Sequence, residues 1–435
     1  MLKKINLLVF LFSLSSLSFS QNFWERIQSP TDHYLRTLHF ADSLRGWVAG
    51  DSGLIFYTSD GGANWIQQES NTTNKIMKIF FLDDNWGWGL TWADASAGGN
   101  SFYGTEILKT TNGGANWAVE QYKEENVFLR GIYFLDTLKG LGGGMPAQFL
   151  QTTDGGINWE RAHIDSGTFS QFPVIDFKFY NKLYGFAVGG RFDIAGVVWR
   201  TINGGENWVA IEAQYAPPDE VWDIHFFDSL HVMAVGGDPD FFGVALMHSI
   251  DAGLSWDYFE IGVHGQALAV SFRTENEGWM VVPLSEKMVA TYDYGVTWLD
   301  YIAPDSSKLY DIVFTDSLTG YAVGEEGVIV KYKYQPPDFV NENILPIVGD
   351  FVLYQNYPNP FNPATTISYS LSEPGQVSLN IYNVLGTQIA TLVQDYKSSG
   401  NHSVVWNAEN EPSGIYYCQL YVNGKITTKK MVLLK

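Results

Sequence analysis

One eight-residue pattern constrains the fold of this chain more than any other feature. Ser/Thr-x-Asp/Asn-x-Gly-x-Asn/Thr/Ser-Trp occurs at Thr58–Trp65, Thr110–Trp117, Thr152–Trp159, Thr201–Trp208, Ser249–Trp256 and Thr291–Trp298. Its tryptophans fall 42 to 52 residues apart. A period in the forties fits one four-stranded propeller blade, a unit that buries its faces only by stacking on its neighbours.

Each unit repeats the same interior. An apolar strand ends in Phe, as in Leu38-His39-Phe40 or Ile312-Val313-Phe314. A tight turn leads to a Gly-aromatic strand such as Gly46-Trp47-Val48-Ala49-Gly50. A third strand, such as Leu54-Ile55-Phe56-Tyr57-Thr58, runs into the box, and a fourth starts at the box Trp. Short β-branched and aromatic runs between Gly, Asp and Asn turns are the hairpin signature. The unit around Leu309 to Tyr334 has three such strands and no box. Phe23-Trp24-Glu25-Arg26-Ile27 resembles the strands that follow the boxes, so it is the expected missing strand. The expectation is an all-β chain: a seven-bladed β-propeller over residues 21–334, closed by the mature N-terminal strand. Closure removes the sheet edges an open ring would expose.

The box residues occur once per unit, which implies a repeated local task. Asp60, Asn112, Asp154, Asn203, Asp251 and Asp293 can accept backbone N–H groups within the turn. Asn replaces Asp twice, which hydrogen bonding tolerates and acid–base chemistry does not. Trp65, Trp117, Trp159, Trp208, Trp256 and Trp298 supply large apolar area between blades. These twelve positions are expected to be structural.

The pattern is that of the Asp-box, or bacterial neuraminidase repeat. Residues 46–65, from Gly46-Trp47-Val48-Ala49-Gly50-Asp51-Ser52-Gly53 to Asp60-Gly61-Gly62-Ala63-Asn64-Trp65, resemble the photosystem II stability/assembly factor family. That resemblance extends over about residues 22–334. It implies a seven-bladed propeller that binds protein partners and catalyses nothing. The family's partner-facing surface is basic. Here the register set by Phe40 reads Arg36, Met77, Arg130, Ile175, Trp222, Leu268 and Tyr310, with two arginines only.

The ends carry addresses. Lys3, Lys4, the apolar run Ile5 to Phe12 and Ser18-Phe19-Ser20 read as a signal peptide over residues 1–20. The apolar run is too short to span a bilayer, so no transmembrane segment is expected. Residues 335–350, with Pro336-Pro337, read as a linker. Residues 351–435 alternate with period two, as in Val377 to Asn383 and Gly414 to Leu420, and suggest a small Ig-like β-sandwich. Pro358-Asn359-Pro360-Phe361-Asn362-Pro363 and the basic-apolar terminus resemble the type A sorting domain of the type IX secretion system. The resemblance implies the type IX machinery as a partner and a secreted or cell-surface location, reached through the periplasm and outer membrane.

Composition limits the chemistry. A formal net charge of −21 opposes phosphate-backbone binding, so no nucleic-acid partner is expected. One cysteine excludes an internal disulfide, and the eight histidines show no ligand spacing. No metal and no cofactor are expected, and the chain reads as a monomer. Asp-box propellers include sialidases and other glycoside hydrolases, which are the alternative reading. Arg26-Ile27-Gln28 lacks the proline of a sialidase's Arg-Ile-Pro segment, and the arginine triad has no counterpart. Asp176, Asp223 and Asp311 share one column of the repeat and are expected to bond neighbouring backbone rather than a cation. The candidate ligand-binding residues sit in two enlarged loops: Trp92, Asp94, Phe102 and Tyr103 in the second unit, and Asp238, Asp240 and Phe241 in the fifth. Aromatics beside acids in a long loop suit a protein or glycan epitope.

Overall fold

The computed structural model describes residues 23–93, 103–165, 169, 172–212, 215–240, 243–333, 351–353, 356, 361–371, 373–384, 386–423 and 425–433. The expected leader and linker lie outside these residues, as do Asp94, Phe102 and Phe241. Two compact units are present, Met1–Gln335 and Pro336–Lys435. Among the described residues both are all-β, with only short 3-10 turns besides strands.

The first unit contains seven sheets among the described residues, antiparallel but for one added strand. The first sheet is Leu35–Phe40, Gly46–Gly50, Ile55–Thr58 and Ile66–Gln68, in that order. The next five follow the same hairpin order. The seventh joins Leu309–Phe314, Gly320–Gly324 and Ile329–Tyr332 to Trp24–Arg26. Trp24 pairs with Tyr332 and Arg26 with Val330. The first strand of each sheet contacts the first strand of the next, and Leu309–Phe314 contacts Leu35–Phe40. One element has no precursor in the repeat: His163–Ile164 adds to the fourth sheet, parallel to Asn207–Ala210.

The Phe and Gly of the repeat explain one another. Phe40 pairs with Gly46, and a Cβ on Gly46 would lie 2.4 Å from the Phe40 ring. The vacated space seats the phenyl group. That ring then stacks on the second-strand aromatic of the preceding sheet. Phe40 lies 3.9 Å from Tyr321, Phe81 3.8 Å from Trp47 and Phe134 3.6 Å from Trp88. The box Trp of the same sheet closes the layer edge-on, as Trp117 does against Phe81. Burying each such ring contributes roughly 2–3 kcal/mol, and the layer recurs between sheets. Second strands are therefore covered on both faces, and Gly46–Gly50 is buried throughout. Fourth strands such as Ile66–Gln68 are largely exposed.

The second unit has a three-stranded sheet (Phe351–Leu353, Ala364–Leu371, Gly400–Asn407) and a four-stranded one. The latter orders Gln388–Lys397, Gly375–Asn383, Gly414–Val422 and Lys425–Leu433. Both sheets feed one core around Leu379, Leu420, Trp406 and Met431. Phe361 of the Pro-Asn-Pro-Phe stretch is buried there beside Trp406, and Asn356 is buried with its amide on Thr365. Cys418 is buried too, and burial pushes its thiol up to about 12, so it behaves as a small apolar side chain.

Candidate functional site

The site begins with a bulge. In six of the seven sheets the first strand carries one extra residue near its start. These residues are Arg36, Met77, Arg130, Ile175, Trp222 and Tyr310, each skipped in the register with the second strand. A bulge re-aims the side chain it adds. The column therefore leaves the alternation of its strand, and its members can meet across sheets.

Arg130 is the centre of that meeting. Its guanidinium lies 5.5 Å from the Trp92 ring centroid and 5.0 Å from that of Trp222, within cation–π range of both. It makes no ion pair with the described residues, and its Nε is buried without a partner. The Trp222 indole N–H is likewise buried and unpartnered. Burial pulls the Arg130 pKa down against the opposing charge of Glu220. Burial also raises Glu220, which Arg130 partly offsets. Arg36, by contrast, is neutralised, since Asp51 receives both its Nε and, at 3.1 Å, its Nη2.

The loop candidates divide accordingly. Trp92 lies within strand Gly87–Ala93 rather than in a loop, because pairing of Trp92 with Thr105 extends the hairpin. Its indole N–H donates to the Leu129 carbonyl at 2.7 Å, and its face is turned to Arg130. Tyr103 is 43% exposed and meets Phe128 edge-on, as Trp92 does. The structure thus brings Trp92 and Tyr103 together with Arg130 and Trp222. Asp238 ends strand Val232–Asp238 and is buried, with the Asp240 amide donating to it at 2.6 Å. Both charges act on Asp219, which burial holds above the usual carboxylate range. Asp238 is therefore a buried member of an acidic group beyond Glu220, not an exposed loop tip.

Arg130 and Trp222 share one column of the sequence repeat, where the number of arginines does not reveal the rings beside them. The signal was present. An Arg and a Trp at one bulged register, with a second Trp in the hairpin of the adjacent sheet, predict a stacked cation.

One position along, the strands turn inward. Lys78 shares its register with Asp176, Asp223 and Asp311. Asp311 accepts the amides of Ile312 and Leu38, and Asp223 those of Ile224 and Val270. Each carboxylate thus ties its own strand to the first strand of the next sheet. Asp176 accepts the Phe177 amide and, at 2.7 Å, the Lys78 ammonium. Burial pulls Lys78 down, but Asp176, Asp311 and Asp223 together push it above its ordinary value. Among the described residues, no group of three or more His, Cys, Asp or Glu is set to hold a metal.

The boxes act within and between sheets. In the third, the Thr152 hydroxyl donates to Asp154 and accepts the Gly156 amide, while Asp154 accepts the amides of Ile157 and Asn158. These bonds hold Asp154 at a pKa of about 2. The glycines at 155 and 156 have φ of 77° and 94°, a region closed to most residues. In the other boxes a glycine amide likewise donates to the hydroxyl of Thr58, Thr110, Thr201, Ser249 or Thr291, and a later amide donates to Asp60, Asn112, Asn203, Asp251 or Asp293. The box carbonyl is also a receptor for the preceding sheet: Gly155 accepts from Trp88 and Lys109, and Gly61 from Tyr321 and Lys331.

Two family models match parts of the chain. Residues 17–88 match the photosynthesis system II assembly factor YCF48 family, and residues 355–434 match the secretion system C-terminal sorting domain. No curated protein sequence matches. Among solved structures, YCF48 from Cyanidioschyzon merolae is similar at TM-score 0.56 and 19% identity, over 71% of this chain and 98% of that one. A YCF48 bound to D1 peptide gives TM-score 0.56 and 19% identity over 72% and 98%. Virginiamycin B lyase from Staphylococcus aureus gives 0.57 and 13% over 72% and 99%. These likenesses show a propeller-type fold. The tail match marks the chain as one sorted for export to the cell surface or beyond.

Proposed function

We propose that this protein is a secreted, non-catalytic binding module whose ligand is a carboxylate-bearing segment of a protein partner. In this reading the seven sheets are seven blades of a closed propeller, and the tail is an Ig-like sandwich that hands the chain to the type IX machinery. The carrying observation is Arg130, a guanidinium held between two indoles that makes no ion pair with the described residues, although the charge of Glu220 acts on it. Stacking fixes the plane of the group and leaves its edge donors for a planar, bidentate acceptor. Trp92, Tyr103, Phe128 and Trp222 give the segment apolar surface around that anchor. A structural neighbour solved with a peptide is consistent with the same use of the fold.

The test is capture by the full mature chain of peptides with free or amidated C-termini, followed by pull-down from the native cell surface. Arg130→Gln should weaken capture by about 2 kcal/mol, some thirtyfold, while Arg130→Lys restores only part of it. Equal binding of free and amidated peptides removes the carboxylate anchor. Turnover of a glycoside substrate, abolished by one Asp or Glu substitution, overturns the non-catalytic reading in favour of a hydrolase.

A further inference from the structure

A cleft of 480 Å³ opens between the first and second sheets, beside the second box. It lies where one column of the repeat lacks a long cation, as that column does at Tyr57, Gln151, His248 and Ala290 in the first, third, fifth and sixth sheets. The third-strand residue before the box is Lys109 in the second sheet and Arg200 in the fourth, and Lys331 holds the same place in the seventh. Each spans to the box of the following sheet: Lys109 to the Gly155 carbonyl at 2.8 Å, Arg200 to Ala252 at 2.7 Å, Lys331 to Gly61 at 2.9 Å. The first sheet has Tyr57 there. The Gly113 carbonyl it faces is satisfied from elsewhere, by Gln68 at 2.8 Å and Trp47 at 3.3 Å. No long cation fills the interval.

The remaining walls are chemically mixed. Trp47, Tyr57 and Ile66 are successive cross-strand neighbours on one face of the sheet. Ile66 is 63% exposed, although it stands on an otherwise polar strand. Beside this apolar floor stands Arg45, ion-paired with Asp42 and Asp84, and Gln67, Gln68 and Glu69 complete the wall. The volume falls within the range of small-ligand sites. Its lining is net acidic, two carboxylates (Glu69 and Asp84) to one guanidinium, which disfavours phosphates and uronic acids. Asp84 is already paired with Arg45, which leaves Glu69 as the lining carboxylate open to a simple cation.

We infer that this cleft binds a neutral pyranose unit of an oligosaccharide. Such a ring has an apolar C–H face, matching Tyr57 and Ile66, and a rim of hydroxyls that both donate and accept. The rim here supplies both partners: guanidinium and amide N–H donors, carboxylate and amide oxygen acceptors. Neutral hydroxyls meet acidic side chains without the charge cost an anion would incur.

The experiment is calorimetric titration of the full mature chain with cellohexaose, xylohexaose and mannohexaose, and with a galacturonic acid trimer as anionic control. At least one neutral probe should bind saturably and the control should not. Tyr57→Lys installs the residue that the second and seventh sheets carry. It should close the cleft onto Gly113, leave the melting temperature unchanged or raised, and weaken binding about tenfold or more. Ile66→Gln, at an exposed position that cannot unfold the sheet, should weaken it in the same direction. Absence of binding by all neutral probes, equal binding of the anionic control, or full affinity in both variants overturns the inference.

Discussion

His39 and His225 occupy the same place in the first strands of two sheets, one residue before Phe40 and Phe226. His39 lies among the rings of Trp47, Phe80 and Phe81, and burial, with the charge of Lys78, lowers it to about 4. His225 stacks on Phe272 beside Phe227, and burial, with Lys178, lowers it to about 3. The unfolded chain therefore binds these protons first as pH falls. Stability is level above the ordinary histidine value of 6.5 and is lost progressively between there and about 4. The loss is at most about 1.4 kcal/mol per pH unit for each histidine. Asp311 works in the opposite direction, because burial raises its pKa despite Lys78. Urea midpoints measured from pH 8 to 5 should fall only below about 6.5, and His39→Gln should reduce the slope. A flat profile in the parent protein would show that neither ring is enclosed as described.

At the scale of elements, the seventh sheet depends on a strand from the other end of the chain. Trp24 is 4% exposed and packs on Trp279, Phe314 and Tyr332, while Phe23 and Ile27 extend the backbone pairing through Lys333 and Ile329. Trp24→Ala should cost about 3–5 kcal/mol, read as a lower denaturant midpoint. A cost below 1 kcal/mol would mean the strand merely decorates an already stable unit. This element was legible in advance, because Phe23-Trp24-Glu25 reads like the strand after a box. Strand order and turn chemistry were legible for the same reason: Gly-Trp and Asp-Gly-Gly are local, and local patterns survive without coordinates. The bulges were not. One inserted residue changes no composition and breaks no hydrophobic run, yet it moves Arg130 and Trp222 out of the alternation of their strands. The stitches from Lys109, Lys331 and Tyr321 to box carbonyls were equally hidden, because a backbone acceptor leaves no mark in the sequence.

For the whole molecule, the charge and the cores agree on a division of labour. Residues 345–435 hold five acids and five bases, so the acidic excess lies on the preceding residues. The tail has its own core, built from both its sheets, and residues 355–434 match a sorting domain. The first unit has cores of its own, with Trp47 stacked on Phe81 and Trp88 on Phe134. A chain ending at residue 344 should therefore keep the melting transition of the first unit within a few degrees. The same truncation should abolish its appearance at the cell surface or in the medium and leave it periplasmic. The two readouts separate the causes. Loss of both folding and export would make the tail a structural partner of the first unit, and normal export of a folded truncation would deny the tail its sorting role. The measurement is cell fractionation with melting of the purified periplasmic species.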